Sequence, residues 1–240
     1  MRRDTQHVLL VLLGGALLRI AADDTYLRYV RPSHRWLLLA AGAVIVGLAV
    51  VALVRDRVAP PAHPDGHEHA GAERHVPWLL LAPVLVIALV APPALGADAV
   101  TRAGTRNAVV QASDAFAPLP PGGPVELTVA DFVDRAAWDT SGTLDGREVV
   151  LTGFVVRRGP ATELARMTIA CCAADARANR VRLAGGAGEI GEIGEIAPDT
   201  WLRVVGSVQP GSATLATGYV PTMTVTAVSP VPEPADPYEY

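Results

Sequence analysis

Two uncharged apolar runs dominate the first hundred residues of this 240-residue chain: WLLLAAGAVIVGLAVVALV over 36–54 and VPWLLLAPVLVIALVAPPALGA over 76–97. About 20 consecutive apolar residues are what a helix needs to cross the hydrocarbon core of a bilayer, so both are expected to span it. Trp36 and Trp78 stand at their starts, where an amphipathic indole favours the headgroup level. A third run, HVLLVLLGGALLRIAA over 7–22, is shorter and is interrupted by Arg19. It follows Met1-Arg-Arg like a signal peptide, but the DDTYLRYVRPSHRW that comes after it runs directly into the next span rather than opening a mature domain. The expectation is therefore a multi-pass cell-membrane protein with three spans, about 7–22, 36–54 and 76–97. With the N-terminus inside, Arg2, Arg3, Arg55, Arg57 and Arg74 are cytoplasmic, against Arg28, Arg31 and Arg35 for the reverse. Basic loops stay inside, which puts the C-terminal domain on the extracytoplasmic side.

Beyond residue 97 the composition changes. Residues 98–124, ending in PLPPGGP, read as an extended Pro/Gly/Ala-rich linker. In TVADFVDRAAW, Thr128 with Asp131 three residues on resembles a capping box, and Val129, Phe132, Val133, Ala136 and Ala137 recur at helical spacing, so 129–138 is expected to be a short amphipathic helix. Five strand-like runs follow, at 147–157, 164–171, 179–183, 200–208 and 219–228. Five short strands with Gly/Pro turns fit a small OB-like barrel over 125–230, because that architecture closes a small sheet with few exposed edges; a Pro-rich tail occupies 231–240. The fold class expected is thus a helical membrane part joined to an all-β domain carrying one short helix. The triple GEI at 188–196 reads as an expanded surface loop.

A formal charge of −4, with no Lys/Arg run, excludes a nucleic-acid binder. All 20 basic residues are Arg, a mark of GC-rich coding rather than of chemistry. Two sequence features could carry chemistry. The first is the loop HPDGHEHAGAERH, 63–75, in which His63, His67, His69 and His75 interleave with Asp65, Glu68 and Glu73. Imidazole and carboxylate donors suit zinc, but the spacing matches no structural zinc motif, so the alternative is a merely solvated loop. The second is Cys171-Cys172, the only two cysteines, in MTIACCAADA. Their readings are simple packing, a strained vicinal disulfide, or ligation of a thiophilic metal with Asp175 nearby. If the strand 164–171 keeps its alternation, Met167, Ile169 and Cys171 face the core and Cys172 points outward as the reactive or ligating thiol. No histidine follows residue 75, which leaves no Cys/His nucleophile and no recognisable catalytic constellation.

CCAADA, the upstream LTGFVV, DFVDRAAW, TWLRVVG and the terminal DPYEY together resemble the YcgQ-like family of bacterial two-component permease subunits. The front end, LLGGALLRIAADDTYLRYVRP followed by two spans around a His-rich loop, is similar to its actinobacterial branch. The resemblance implies an accessory subunit docked on a multi-span permease, its β-domain binding a partner, ion or substrate at the membrane surface. It brings no established catalytic residues, only Cys171, Cys172 and Asp175 as the matching segment. The alternative class is a membrane-tethered metal-binding or thiol-redox protein using the His-rich loop or the Cys pair.

Overall fold

The computed structural model describes residues 3–58, 92–104, 107, 116–185 and 195–240, and the chain divides into two compact units, Met1–Pro93 and Ala94–Tyr240. In the first, α1 (Arg3–Ala22) and α2 (Arg35–Val58) are joined by two short 3₁₀ turns, Thr25–Arg28 and Pro32–His34. Asp24 takes a left-handed conformation, φ 59°, and the Asp23 carboxylate accepts the Thr25 N–H at 3.1 Å, which reverses the chain. Pro32, its φ preset for a helical start, begins the turn that feeds α2. The helices touch at two glycines. A Cβ on Gly42 would lie 2.9 Å from Leu18 Cγ and 3.0 Å from the Gly14 carbonyl, so only a bare backbone fits there. Elsewhere the apolar side chains point out: Leu37, Val44, Leu48, Val51 and Val54 are all exposed.

Among the described residues, one helix is long and apolar enough to cross a membrane, Pro32–Val58. The three-span, multi-pass anchor is corrected to that. The apolar part of α1, Gln6–Ala22, is too short, and its Arg19 side chain is solvent-facing beside Asp23. Of the expected third span, 76–91 lies outside the described residues, and 92–96 is not helical. The multi-pass cell-membrane localisation is corrected with it, and the placement of the C-terminal domain, counted over three spans and their loops, is not carried further. The docking of a three-span anchor on a multi-span permease is corrected too.

The second unit is a seven-stranded sheet: β1 (Val125–Glu126), β2 (Glu148–Arg158), β3 (Ala161–Thr168), β4 (Arg177–Ala184), β5 (Trp201–Val208), β6 (Thr222–Pro230) and β7 (Tyr238–Glu239). The strand order is β1-β2-β5-β6-β4-β3-β7, and β2 also pairs with β3. The expected five-stranded OB-like barrel is corrected to a sheet of seven strands, in which the β2–β3 pairing joins the two ends of the run β2-β5-β6-β4-β3. The five apolar runs each fall on a strand, but two further strands of two residues each add in parallel, β1 on β2 and β7 on β3. Nor are the pairings uniformly antiparallel, since β4 runs parallel to β6. At the irregularity between Val205 and Gly206 the β5–β6 backbones come so close that a Cβ on Gly206 has no room against the Thr224 carbonyl.

Two helices cover opposite faces of β2–β3–β4. Within the stretch expected to be linker, α3 (Ala97–Arg102) packs on β2 and β3, with Val100 fully buried. It joins Phe154, Val156, Ala165, Met167, Ala178 and Trp201 in one apolar cluster. On the other face α4 (Val129–Trp138) inserts Val129, Phe132 and Val133, all fully buried, against Leu151, Leu164, Val181, Leu202 and Met223. Each such side chain contributes roughly 1.5–3 kcal/mol by leaving water. The start of α4 is held twice. Thr128 Oγ1 accepts the Asp131 N–H at 3.0 Å, and the buried Glu239 carboxylate accepts the N–H groups of Val129 and Ala130 at 2.8 and 2.9 Å. At its other end Asp139 turns back on Ser141 and Thr143; burial would raise its pKa, but those hydrogen bonds outweigh it and bring the carboxyl down to about 2.

Candidate metal centre

Strand β3 ends at Thr168, which pairs with Arg177 of β4 on one edge and Glu239 of β7 on the other; the next residue, Ile169, is buried and donates its N–H to the Glu239 carbonyl at 3.0 Å. The chain then leaves the sheet as Ala170-Cys171-Cys172 and closes a 3₁₀ turn, Ala173–Asp175, before β4 begins at Arg177. Asp175 reaches back over this turn. Its Oδ1 accepts the Ala170 N–H at 2.8 Å, and its Oδ2 accepts the N–H groups of Cys171 and Cys172 at 2.9 and 3.3 Å. The Cys171 thiol also donates to Oδ2, at 2.8 Å, and lies 3.6 Å from Cys172 Sγ.

One carboxylate thus collects three backbone N–H groups and one S–H. The Cys171 thiol and these amides hold the Asp175 carboxyl well below the usual carboxylate range. The same contact works the other way on the sulfur. The hydrogen bond to Asp175, followed by that to Cys172, pushes the Cys171 thiol up from 9.0 to about 12. At neutral pH the proton therefore stays on sulfur, directed at the carboxylate, until something more strongly bound than a proton replaces it.

Both cysteines are free thiols, Cys171 exposed and Cys172 half-buried. The expectation that Cys171 faces the core is corrected: its alternation assumed a strand to residue 171, but the strand ends three residues earlier, so parity no longer decides its side. The structure does bring together Cys171, Cys172 and Asp175, whose donor atoms lie within 4.8 Å of one another, and this group could hold a metal ion. His63, His67, Glu68, His69, Glu73 and His75 lie outside the described residues, as do Glu189 and Glu192 of the GEI repeat. What reading by residue type missed is the backbone half of the site. The amides of Ala170, Cys171 and Cys172 orient the carboxylate, and an Asp three residues after a Cys pair, at the end of a short turn, is the signal that points to them.

Residues 134–240 match the DUF1980 C-terminal domain, so the Cys turn, β2–β7 and most of the second unit are similar to that family. No curated protein matches the chain. Two solved structures show a weak likeness. One is a chain provisionally assigned as an aspartyl-tRNA synthetase of Leishmania major Friedlin, with TM-score 0.30 and 12% identity over 55% of this chain and 24% of that one. The other is asparaginyl-tRNA synthetase of Pyrococcus horikoshii, complexed with asparaginyl-adenylate, with TM-score 0.25 and 18% identity over 39% of this chain and 22% of that one. This chain spans less than a quarter of either, and at these TM-scores neither likeness bears on its fold or function.

Proposed function

We propose that the chain is a membrane-tethered metal-binding protein whose β-domain holds a thiophilic ion, zinc in the first place, on Cys171, Cys172 and Asp175. The observation that carries this is the donor triangle: two sulfurs 3.6 Å apart with a carboxylate oxygen 2.8 Å from one of them. Two thiolates on one tetrahedral zinc, with Zn–S ~2.3 Å, stand ~3.8 Å apart, so the sulfur pair already has nearly the required span. Thiolate donors favour Zn²⁺ and Cu⁺ over hard cations, and the exposed position of Cys171 leaves room for a further ligand. The helix Pro32–Val58 supplies the tether. We keep the YcgQ-like resemblance within this reading, since CCAADA, one of the segments that carry it, is the one the site uses. A thiol-redox role is less well served, because a thiol held protonated by its neighbour is a poor attacking group.

The test is Co²⁺ titration of the detergent-solubilised full chain, read by the thiolate-to-cobalt charge-transfer band, which imidazole ligands do not produce. The band should appear with rising Co²⁺, be bleached by Zn²⁺ and vanish in Cys171→Ser and in Cys172→Ser. Because binding must expel the Cys171 proton, the affinity should climb steeply with pH. Absence of the band at any pH sinks the proposal, as does a band that survives both serine variants.

A further inference from the structure

A second polar group lies on the same sheet, beside the face that α3 covers. Strand parity places it there: Arg158 shares a face with Phe154 and Val156, Glu163 with Ala165 and Met167, and Arg180 and Arg182 with Ala178. Their side chains line a cavity of about 370 Å³ whose remaining wall is the segment from Leu215 to Val220. That volume falls in the range of small-molecule sites, roughly 300–1,000 Å³, and exceeds what one inorganic ion fills.

Arg180 is 1% exposed, and among the described residues none of its three guanidinium nitrogens has a hydrogen-bond partner. Glu163, also 1% exposed, is the nearest counter-charge, but its Oε2 stands 3.8 Å from Arg180 Nη1 and 3.9 Å from Arg158 Nε, beyond hydrogen-bond length, and is itself unpartnered. A guanidinium cannot shed its charge as a buried lysine does, so a fork of unmet donors is costly unless a ligand meets it. The backbone on either side is held firmly. Asn107 bonds both the N–H and the carbonyl of Arg180, so the residue has no local freedom to withdraw to solvent.

We infer that this cavity is a binding site for a small molecule bearing a phosphate or similar oxyanion, with Arg180 as its principal donor and Arg158 and Arg182 at its mouth. Three arginines face one carboxylate, so the cavity remains cationic. Planar forks of N–H donors match the oxygens of a phosphate in bidentate fashion. Leu215, 62% exposed on the opposite wall, and Val220 offer apolar surface to the rest of the ligand, which favours a phosphate ester over the bare ion. The inference is independent of the metal reading, since it uses none of the same residues.

The experiment follows the thermal midpoint of the full chain in detergent as inorganic phosphate or butyl phosphate replaces chloride at constant ionic strength. Both should raise the midpoint saturably, butyl phosphate at several-fold lower concentration. Short-chain phosphatidic acid run alongside separates a lipid headgroup from a soluble ester as the source. Arg180→Met should abolish the rise and, by removing an unmet buried charge, leave the ligand-free midpoint unchanged or higher. Arg182→Gln, at an exposed position, should raise the half-saturating concentration several-fold without touching the fold. The inference is overturned if neither phosphate does more than chloride, if Arg180→Met keeps the response, or if Arg180→Met lowers the ligand-free midpoint, which would make the arginine a structural group.

Discussion

Replacing Asp175 by Asn keeps the shape of the turn and an acceptor for its amides but removes the charge that holds the proton on Cys171. The carboxylate is the leading cause of a thiol pKa of about 12 in place of 9.0, a step worth roughly a thousandfold in thiolate at any pH below both values. The gain in alkylation rate is smaller, because a thiolate of lower pKa is intrinsically less nucleophilic. With a Brønsted coefficient of about 0.45, roughly 1.4 of the three decades are given back, leaving a ceiling near 40-fold. Part of the shift comes from Cys172, which the assay replaces in both proteins, and water screens a charge on an exposed loop, so a rise of about 5- to 40-fold is expected. The assay compares Cys172→Ser with Cys172→Ser/Asp175→Asn by iodoacetamide modification across pH, so that a single thiol is read. Loosening of the turn would raise the rate at every pH without moving the midpoint. The reasoning requires the midpoint to fall toward 9.0, and an unmoved midpoint refutes it.

The glycine contact between α1 and α2 makes a paired expectation. Gly42→Leu should force the helices apart and lower the thermal midpoint of the helical circular-dichroism signal in detergent, whereas Gly47→Leu, at a position with open space at Cβ, should leave it unchanged; equal effects would refute the contact. Glu239→Ala orphans two amides at the start of α4 and should cost about 1–3 kcal/mol at pH 7 in denaturant unfolding. Burial raises the Glu239 pKa above 4.5, so between 4.5 and the raised value the folded chain binds more protons than the unfolded one. Stability should therefore increase as pH falls through that window, and Glu239→Ala should lose this increase; a stability slope identical in the two proteins would refute the assignment.

What the sequence made legible is what rests on local pattern. The helix Val129–Trp138 was readable from Thr128, Asp131 and the spacing of Val129, Phe132 and Val133, and the five apolar runs sit on β2 to β6 within a few residues. The illegible parts are set by distant partners. β1 and β7 are two residues long, too short to show any alternation, and exist because β2 and β3 offer them a free edge. Ala97–Arg102 looked like linker because its composition is small and polar, yet Ala97 and Val100 are buried against the sheet and the Ala97 N–H donates to Asp199. The Cys171 side was misjudged because periodicity carries the strand on to residue 171, whereas Asp175, four residues further along, gathers the amides of 170–172 into a turn. Arg180 and Arg182 do alternate, as a half-solvated strand would show them, and nothing local reveals that Arg180 lies beneath the surface.

The Glu239 clamp also imposes an order on biosynthesis. The helix it caps begins at Val129, so 110 residues of chain must follow before the start of α4 has its buried acceptor. The Thr128 cap and the apolar face of α4 do not wait for it, so it is the second hold on the helix that must close over the long loop and comes late. The same late segment supplies the carbonyl that accepts the Ile169 N–H just before the cysteines. A nascent chain translated only as far as β6 therefore carries a cysteine turn closed by its own Asp175 but not yet moored to β7, and a helix α4 with one of its two holds.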